Sequence, residues 1–320
     1  MTCSSACSAI EERNNPRRVE DSASAREQTF FACLGYHCCM AALRIGLKLA
    51  PQHTTIADLR RVWQIADEAG FDTCWTFDHF ASIGGAGPTG DVFEGWTHLA
   101  AMAEGTKRVR IGCMVTGNTY RHPGVLAKMA TTVDHISGGR LEFGLGAAWA
   151  EVEHTMLALE FGTAGDRLDR LEEACQILLA LWTKPSTTFE GRHYRLVDAV
   201  SNPKPVQRPH PPLWIGGSGR KRTLRITAQY ANAWNGGGRP EEFADLCAVL
   251  DRHCADVGRD PKEILRSVQV RSRDDDELLS LAEQYARLGV GEVIIMLLTD
   301  QPLVRAEELA RLLPRLHSIG

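Results

Sequence analysis

Asp78 and His79 stand together in the run Thr76-Phe77-Asp78-His79-Phe80. A carboxylate beside an imidazole can set its tautomer or serve acid–base chemistry, although the same adjacency also caps loops. A second polar group, Met114-Val115-Thr116-Gly117-Asn118, leads into Tyr120-Arg121-His122-Pro123. A third, Gly144-Leu145-Gly146-Ala147-Ala148-Trp149, carries paired glycines. Such glycines either let a flat ring or a phosphate approach the backbone, or only make tight turns. The sharpest local signal is Trp214-Ile215-Gly216-Gly217-Ser218-Gly219, followed by a helical pattern over Lys221–Ala228. A glycine loop that opens a helix turns several backbone N–H groups toward one point, and the helix dipole favours an anion there. That arrangement suits a phosphate.

Each of these groups ends an apolar run, and the runs define the scaffold. Strand patterns cover Leu43–Leu49, Thr73–Phe77, Val109–Val115, Leu141–Leu145, Leu213–Ile215, Ala231–Trp234, Ile264–Val270 and Glu292–Leu297. The stretch at 293–298 is continuously apolar, as a parallel strand buried on both faces should be. Helical periods lie between them: Ile56–Ala69 closed by Gly70, Pro123–Ile136 opened by proline and closed by Gly138-Gly139, and Asp166–Trp182 with an apolar stripe. Eight strands alternating with helices predict an α/β fold, a closed (β/α)8 TIM barrel. An open doubly wound sheet is the rival, but no Gly-x-Gly-x-x-Gly turn follows the first strand. Residues 147–212 form an insertion between the fourth and fifth strands, expected at the C-terminal face where barrel active sites form. Its proline-rich part, Asn202–Pro212, should be extended and cannot be a central strand.

The bulk properties exclude several classes. Lys+Arg 36 against Asp+Glu 40 gives a net charge of −4, and the basic residues do not gather into a field for nucleic acid or a membrane surface. No apolar run reaches the roughly 20 residues of a membrane span, and no secretory pattern opens the chain. The ten cysteines form no C-x-x-C pair and no zinc-finger spacing, so they read as reduced thiols of a cytoplasmic enzyme, with no metal site. Residues 1–40 are polar and aperiodic and read as a disordered extension, for which an upstream start codon read as coding is one origin. Residues 41–320 read as one barrel domain.

The motifs TFDHF, RIGCMVTGNTYRHPGVLAKMATTVDHISGGRLEFGLGAAW, EVEH and NPKPVQRPHPPLWIGGSGRKRTLRITAQYANAWN fall in an order that resembles the luciferase-like monooxygenase superfamily, closest to its coenzyme F420-dependent oxidoreductases. The resemblance runs from about residue 43 to the C-terminus. It implies a cofactor ring at the C-terminal mouth of the barrel, flanked by Asp78 and His79, with His79 the better candidate for contact or proton handling. It implies a bulge in the third strand with a non-prolyl cis peptide at Met114–Val115, and Thr116 at the ring edge. Gly144, Gly146 and Ala147 would line the cofactor tail, and Gly216, Gly217, Ser218 and Gly219 would hold its phosphate. A homodimer is implied as well. The sequence departs from the pattern at Ala150, where many relatives carry Asn, and at Asn232, where they often carry Asp.

A deazaflavin has carbon in place of the central redox nitrogen of flavin, so it transfers hydride and reacts poorly with oxygen. The resemblance therefore implies hydride transfer between reduced F420 and a small organic substrate. An FMN-dependent, oxygen-using monooxygenase is the alternative on the same fold, and a non-catalytic flavin-binding barrel is a further one that retention of Asp78 and His79 argues against. His53, Glu94, Trp96, Glu153 and His154 are candidates to shape the substrate pocket. Glu153 and His154 could equally start a helix, and Trp96 could be core. A metal-dependent hydrolase would need more converging ligands than Asp78 and His79.

Overall fold

The computed structural model describes residues 42–84, 87–299 and 301–319; the extension expected over 1–40, with Cys3, Cys7, Cys33, Cys38 and Cys39, lies outside them. The strands are β1 (Arg44–Lys48), β2 (Thr73–Thr76), β3 (Arg110–Gly117), β4 (Leu141–Gly146), β5 (Thr187–Glu190), β6 (Arg195–Ala199), β7 (Leu213–Gly216), β8 (Ala233–Gly236), β9 (Leu265–Val270) and β10 (Glu292–Met296). The helices are α1 (Ile56–Ala69), α2 (Gly95–Gly105), α3 (Pro123–Ile136), α4 (Glu151–Met156), α5 (Ala164–Thr183), α6 (Thr223–Tyr230), α7 (Pro240–Val257), α8 (Asp275–Arg287) and α9 (Pro302–His317). Eight strands close in the order β1-β10-β9-β8-β7-β4-β3-β2, every pairing parallel, while β5 and β6 form a separate antiparallel hairpin. The fold is the expected (β/α)8 barrel.

Local chemistry sets the ends of its elements. Thr55 accepts a hydrogen bond from Asp58 N to open α1, and Gly70 closes it at φ 90°. α5 starts two residues earlier than its apolar stripe, because Thr163 and Asp166 form a reciprocal capping box. α6 starts at Thr223 rather than Lys221, leaving Arg220–Arg222 in the turn. β8 begins two residues late because Ala231 caps α6 and Asn232 turns its Oδ1 to accept from Leu213 N at 2.9 Å. Asn232, one of the two departures from the family pattern, thus works as punctuation between helix and strand.

The insertion follows a different course from the expected one. Its first part, α4 with the start of α5, stays at the C-terminal face, where Asn118 Nδ2 donates to Arg167 O and the β5–β6 turn brings Tyr194 against His122. α5 runs back along the wall, and the proline-rich segment lies against the opposite end of the barrel. There Asp134, at the end of α3, accepts from Val206 N and from Gln207 N and Nε2, while Arg110 at the start of β3 reaches Gln207 Oε1. The segment is extended and forms no strand, as its prolines require.

Side chains fill the barrel in layers. At the bottom, Glu142 pairs with Arg44 and Arg110, and Glu292 pairs with Arg44. Above them Trp75, Met114, Trp214, Ala233 and Ile294 form an apolar plug. Its two indoles are tied downward, Trp75 Nε1 to Thr73 and Glu292, Trp214 Nε1 to Glu142. The plug closes the bottom and gives the mouth a floor. Cys74, Cys113, Cys175, Cys247 and Cys254 are buried free thiols, and no described helix is long and apolar enough to cross a membrane.

Candidate active site

β3 shapes the centre of the mouth. Its register against β4 shifts between Cys113 and Thr116, and the Met114–Val115 peptide is cis, at the position the family resemblance implies. The bulge turns Val115, half-buried, toward its neighbours. A Cβ on Gly146 would lie 2.6 Å from Val115 Cγ2, and one on Gly216 would lie 2.8 Å from Val115 Cγ1. A Cβ on Gly144 would stand 2.0 Å from the Cys113 carbonyl oxygen. These glycines therefore make room for the bulge itself, a reason the sequence alone does not separate from a cofactor's approach. Ala147 follows them, partly buried against the core.

β2 delivers Asp78 and His79 to the mouth, and each has a partner brought from elsewhere in the chain. His79 Nδ1 lies 2.5 Å from Glu153 Oε1, on α4. Glu153 Oε2 accepts from Phe80 N and from the Tyr120 hydroxyl, both at 2.9 Å. Burial works to raise the Glu153 carboxyl, but the hydrogen bonds from His79, Phe80 N and Tyr120 outweigh it and hold the carboxyl below its usual range. Burial, then the Glu153 charge, pushes the Tyr120 phenol up, so it stays a donor. Nδ1 of His79 is committed to the carboxylate, which leaves Nε2 as the nitrogen that can face a reactant. Phe77 and the exposed Trp149 meet the imidazole edge-on.

Asp78 is fully buried and pairs with Arg121 through two hydrogen bonds, at 2.5 and 3.1 Å. Burial would lower the Arg121 guanidinium, but the contacts with Asp78 hold it above its ordinary value. Arg121 also pairs with Glu94, which caps α2 by accepting from Trp96 N and Thr97 N. Asp78 and Glu94 are thus positioning groups that clamp the β3–α3 connection to β2 and α2. Thr116, expected at the ring edge, has its hydroxyl engaged by Trp96 Nε1 at 2.6 Å. Trp96 is core, reaching the site only through that bond. His154 is also internal: Nδ1 meets Ala150 O and Nε2 meets Thr119 Oγ1. His53 is exposed on the β1–α1 loop, bonded to Ser82 Oγ at 2.7 Å. Ala150 serves as the N-cap of α4 without a side-chain bond, so the polar group that Asn would add is missing there.

The glycine loop after β7 adjoins the bulge, since Gly216 touches Val115. Gly217 takes φ 127°, a conformation L side chains rarely adopt. Ser218 Oγ accepts from Gly237 N at 3.2 Å, tying the loop to the end of β8. α6 begins without a side-chain cap, and Leu224 N donates to Gly219 O at 3.1 Å, so the loop itself takes one of the first N–H groups. Bulge, loop and uncapped helix together fit a ring with a phosphate-bearing tail.

Three residues here have no role assigned from the sequence: Tyr120 and Arg121, seen there only as following β3, and Lys48. Lys48 ends β1, 6% exposed, and donates to Met114 O at 2.8 Å and Gln269 Oε1 at 2.6 Å. A lysine closing a strand that otherwise reads as buried on both faces was the signal available. A cavity of about 620 Å³ lies at the ends of β9 and β10, lined by Arg271, Arg273, Met296 and Arg305 among others; none of the five expected pocket residues lines it. Asp166, Asp169 and His193 approach metal-ligand geometry, but both aspartates are paired with Arg192, and Asp169 also with Arg222.

The structure is thus a closed (β/α)8 barrel with the His79–Glu153 pair at its C-terminal mouth and a glycine loop beside it. The chain belongs to the luciferase-like monooxygenase family, which it matches over residues 38–313. It is 32% identical over 258 residues to an F420-dependent glucose-6-phosphate dehydrogenase of Microbacterium testaceum (strain StLB037), covering 78% of this chain and 74% of that one. It is 28% identical over 260 residues to the pyrimidine monooxygenase RutA of Stutzerimonas stutzeri (strain A1501), covering 79% and 71%. Among solved structures, an F420-dependent secondary alcohol dehydrogenase in complex with an F420-acetone adduct shares the fold at a TM-score of 0.78 and 17% identity, covering 86% of this chain and 99% of that one.

Proposed function

We propose that this protein is an F420-dependent oxidoreductase acting on a small organic substrate. The observation that carries the reading is the His79–Glu153 pair at the barrel mouth, with Nε2 of His79 left for a reactant. When bound, the deazaflavin would supply hydride transfer to or from a substrate carbon. Val115 and the plug beneath it would support the ring, and the Gly216–Gly219 loop with the uncapped α6 would hold the phosphate. His79 would hold or release a proton at Nε2, its orientation fixed by the ionised Glu153. Relatives named for F420 recur among the similar sequences and folds, which supports this cofactor.

The second reading is an FMN-dependent monooxygenase, favoured by the similarity to RutA and to an FMNH2-dependent dimethylsulfone monooxygenase. Anaerobic titration with F420 and with FMN, followed by quenching of tryptophan fluorescence, separates them. Saturable quenching by F420 is expected; binding of FMN alone would replace the deazaflavin reading with the monooxygenase one. We further propose a homodimer in the cytoplasm, the former tested by light scattering on the eluted protein.

A further inference from the structure

Trp149 stands where a large apolar side chain is least expected. It is 66% exposed, whereas the other six tryptophans are buried. Its indole meets the His79 ring edge-on, with centroids 5.6 Å apart, while Phe77 meets the same ring at 4.9 Å. Ala148, just before it, takes φ 61°, the left-handed region that an L residue enters only at a cost, and such strain gathers at functional sites. That turn, between β4 and α4, sets Trp149 against His79 at the mouth. The apolar surface continues along the helix. Val152 and Met156 lie one above the other on α4, and Leu157 follows; all three are exposed. Four of the thirteen exposed large apolar side chains among the described residues thus fall within 149–157. α4 is not free to turn them inward, because Glu153 is bonded to His79, Phe80 N and Tyr120, and His154 to Thr119.

A fixed apolar surface beside a reactive nitrogen marks a binding face. The charges nearby are already matched, Glu153 with His79 and Arg121 with Asp78 and Glu94, so they do not call for an ionic ligand. α4 has six residues, about 9 Å of helix, which offers a surface far short of the roughly 800 Å² per partner of a stable protein interface but enough for one ring-sized group. An indole face takes flat groups by stacking. We infer that Trp149, continued by the outer face of α4, is a specificity-determining platform for a flat, uncharged apolar group of the substrate, aromatic or conjugated, held next to the atom that exchanges a proton with His79. The inference rests on the reading that Nε2 of His79 faces a reactant.

Benzyl alcohol, an uncharged aromatic alcohol, serves as the probe, and lactate as the ionic comparison. Because Trp149 is the one exposed tryptophan, acrylamide quenching of wild-type fluorescence reads its access directly. Benzyl alcohol is expected to suppress that quenching saturably, and lactate is not. A ligand-observed NMR titration, with F420 or FMN present at saturation where it binds, then gives the affinity for benzyl alcohol in wild type, Trp149→Ala and Trp149→Phe. Loss of the indole should weaken it on the order of tenfold, the worth of one aromatic pair, and phenylalanine should restore most of it, with cofactor affinity unchanged in both variants. A merely structural tryptophan would move cofactor affinity as well, or leave benzyl alcohol binding untouched. Either result overturns the inference, as does protection by lactate alone. Weak acrylamide quenching of the free wild type also overturns it, since a second copy then covers the face. The quenching series needs no variant, so it decides the matter even where a substitution prevents folding. Binding of a cofactor without protection by benzyl alcohol removes this inference alone; protection without binding of either cofactor removes the deazaflavin and flavin readings and leaves the platform standing.

Discussion

Glu153 and His154 are neighbours on α4 with opposite fates. Successive helical side chains diverge by about 100°, so one reaches His79 while the other turns inward to Thr119 and Ala150. The sequence offered both as pocket residues because chain proximity carries no direction. His79 was legible from Asp78-His79 at a strand end; its partner was not, since 74 residues separate them. The pairing makes a kinetic prediction. His79→Ala should leave cofactor affinity near the wild-type value and lower turnover by about 10²- to 10⁴-fold, the usual worth of a positioned acid–base group. Glu153→Gln replaces an acceptor-only carboxylate with an amide that also donates, so the imidazole loses its fixed tautomer; turnover should fall by at least about tenfold with affinity again held. Fluorescence titration alongside steady-state rates checks both, and unchanged turnover in His79→Ala removes His79 from the chemistry.

At the scale of elements, β3 sets the demands that β4 and β7 meet. The glycines were visible in the sequence, and so was their place at strand ends. What they face was not, because a register shift between Cys113 and Thr116 leaves no periodic trace. A double substitution reads the packing directly. Gly216→Ala puts a methyl 2.8 Å from Val115 Cγ1 and 3.2 Å from Cγ2, and should cost about 1–3 kcal/mol in urea unfolding. Val115→Ala in the same chain removes both opposing carbons and should recover most of that loss. Gly144→Ala meets the Cys113 carbonyl oxygen at 2.0 Å, which is backbone and cannot turn away. It should cost more than about 3 kcal/mol, and Val115→Ala should not rescue it. Equal rescue at both positions would mean that β3 yields as a whole, contrary to a rigid bulge.

The barrel as a whole was legible because eight apolar runs and their helices repeat one unit, whereas the path of residues 147–212 was not, since no period governs it. The same closed interior stores ionisable groups whose titration acts on the stability of the entire molecule. His98, on α2, is 5% exposed, with Nε2 at 2.5 Å from Thr76 Oγ1 and its ring stacked on Trp63. Burial pulls it down to about 4, against the opposing charge of Glu94. Between an unfolded value of about 6.5 and that folded value, the unfolded chain binds a proton that the folded one refuses, so stability falls as pH drops through this window. The contribution is on the order of 3 kcal/mol. Glu292 works in the opposite sense: burial pushes it up, so the folded state takes its proton first and gains on acidification. Glu142, which burial would raise but Arg110 and Arg44 hold low, adds stability that is lost only below the ordinary carboxylate range. The raw pH curve therefore mixes signs, and a difference isolates His98. The stability of wild type minus that of His98→Asn, from urea unfolding at a series of pH values, should shrink by about 3 kcal/mol from pH 7 to pH 4. A difference that stays constant across that range would mean His98 keeps an exposed, protonatable ring and that α2 does not seal the barrel wall there.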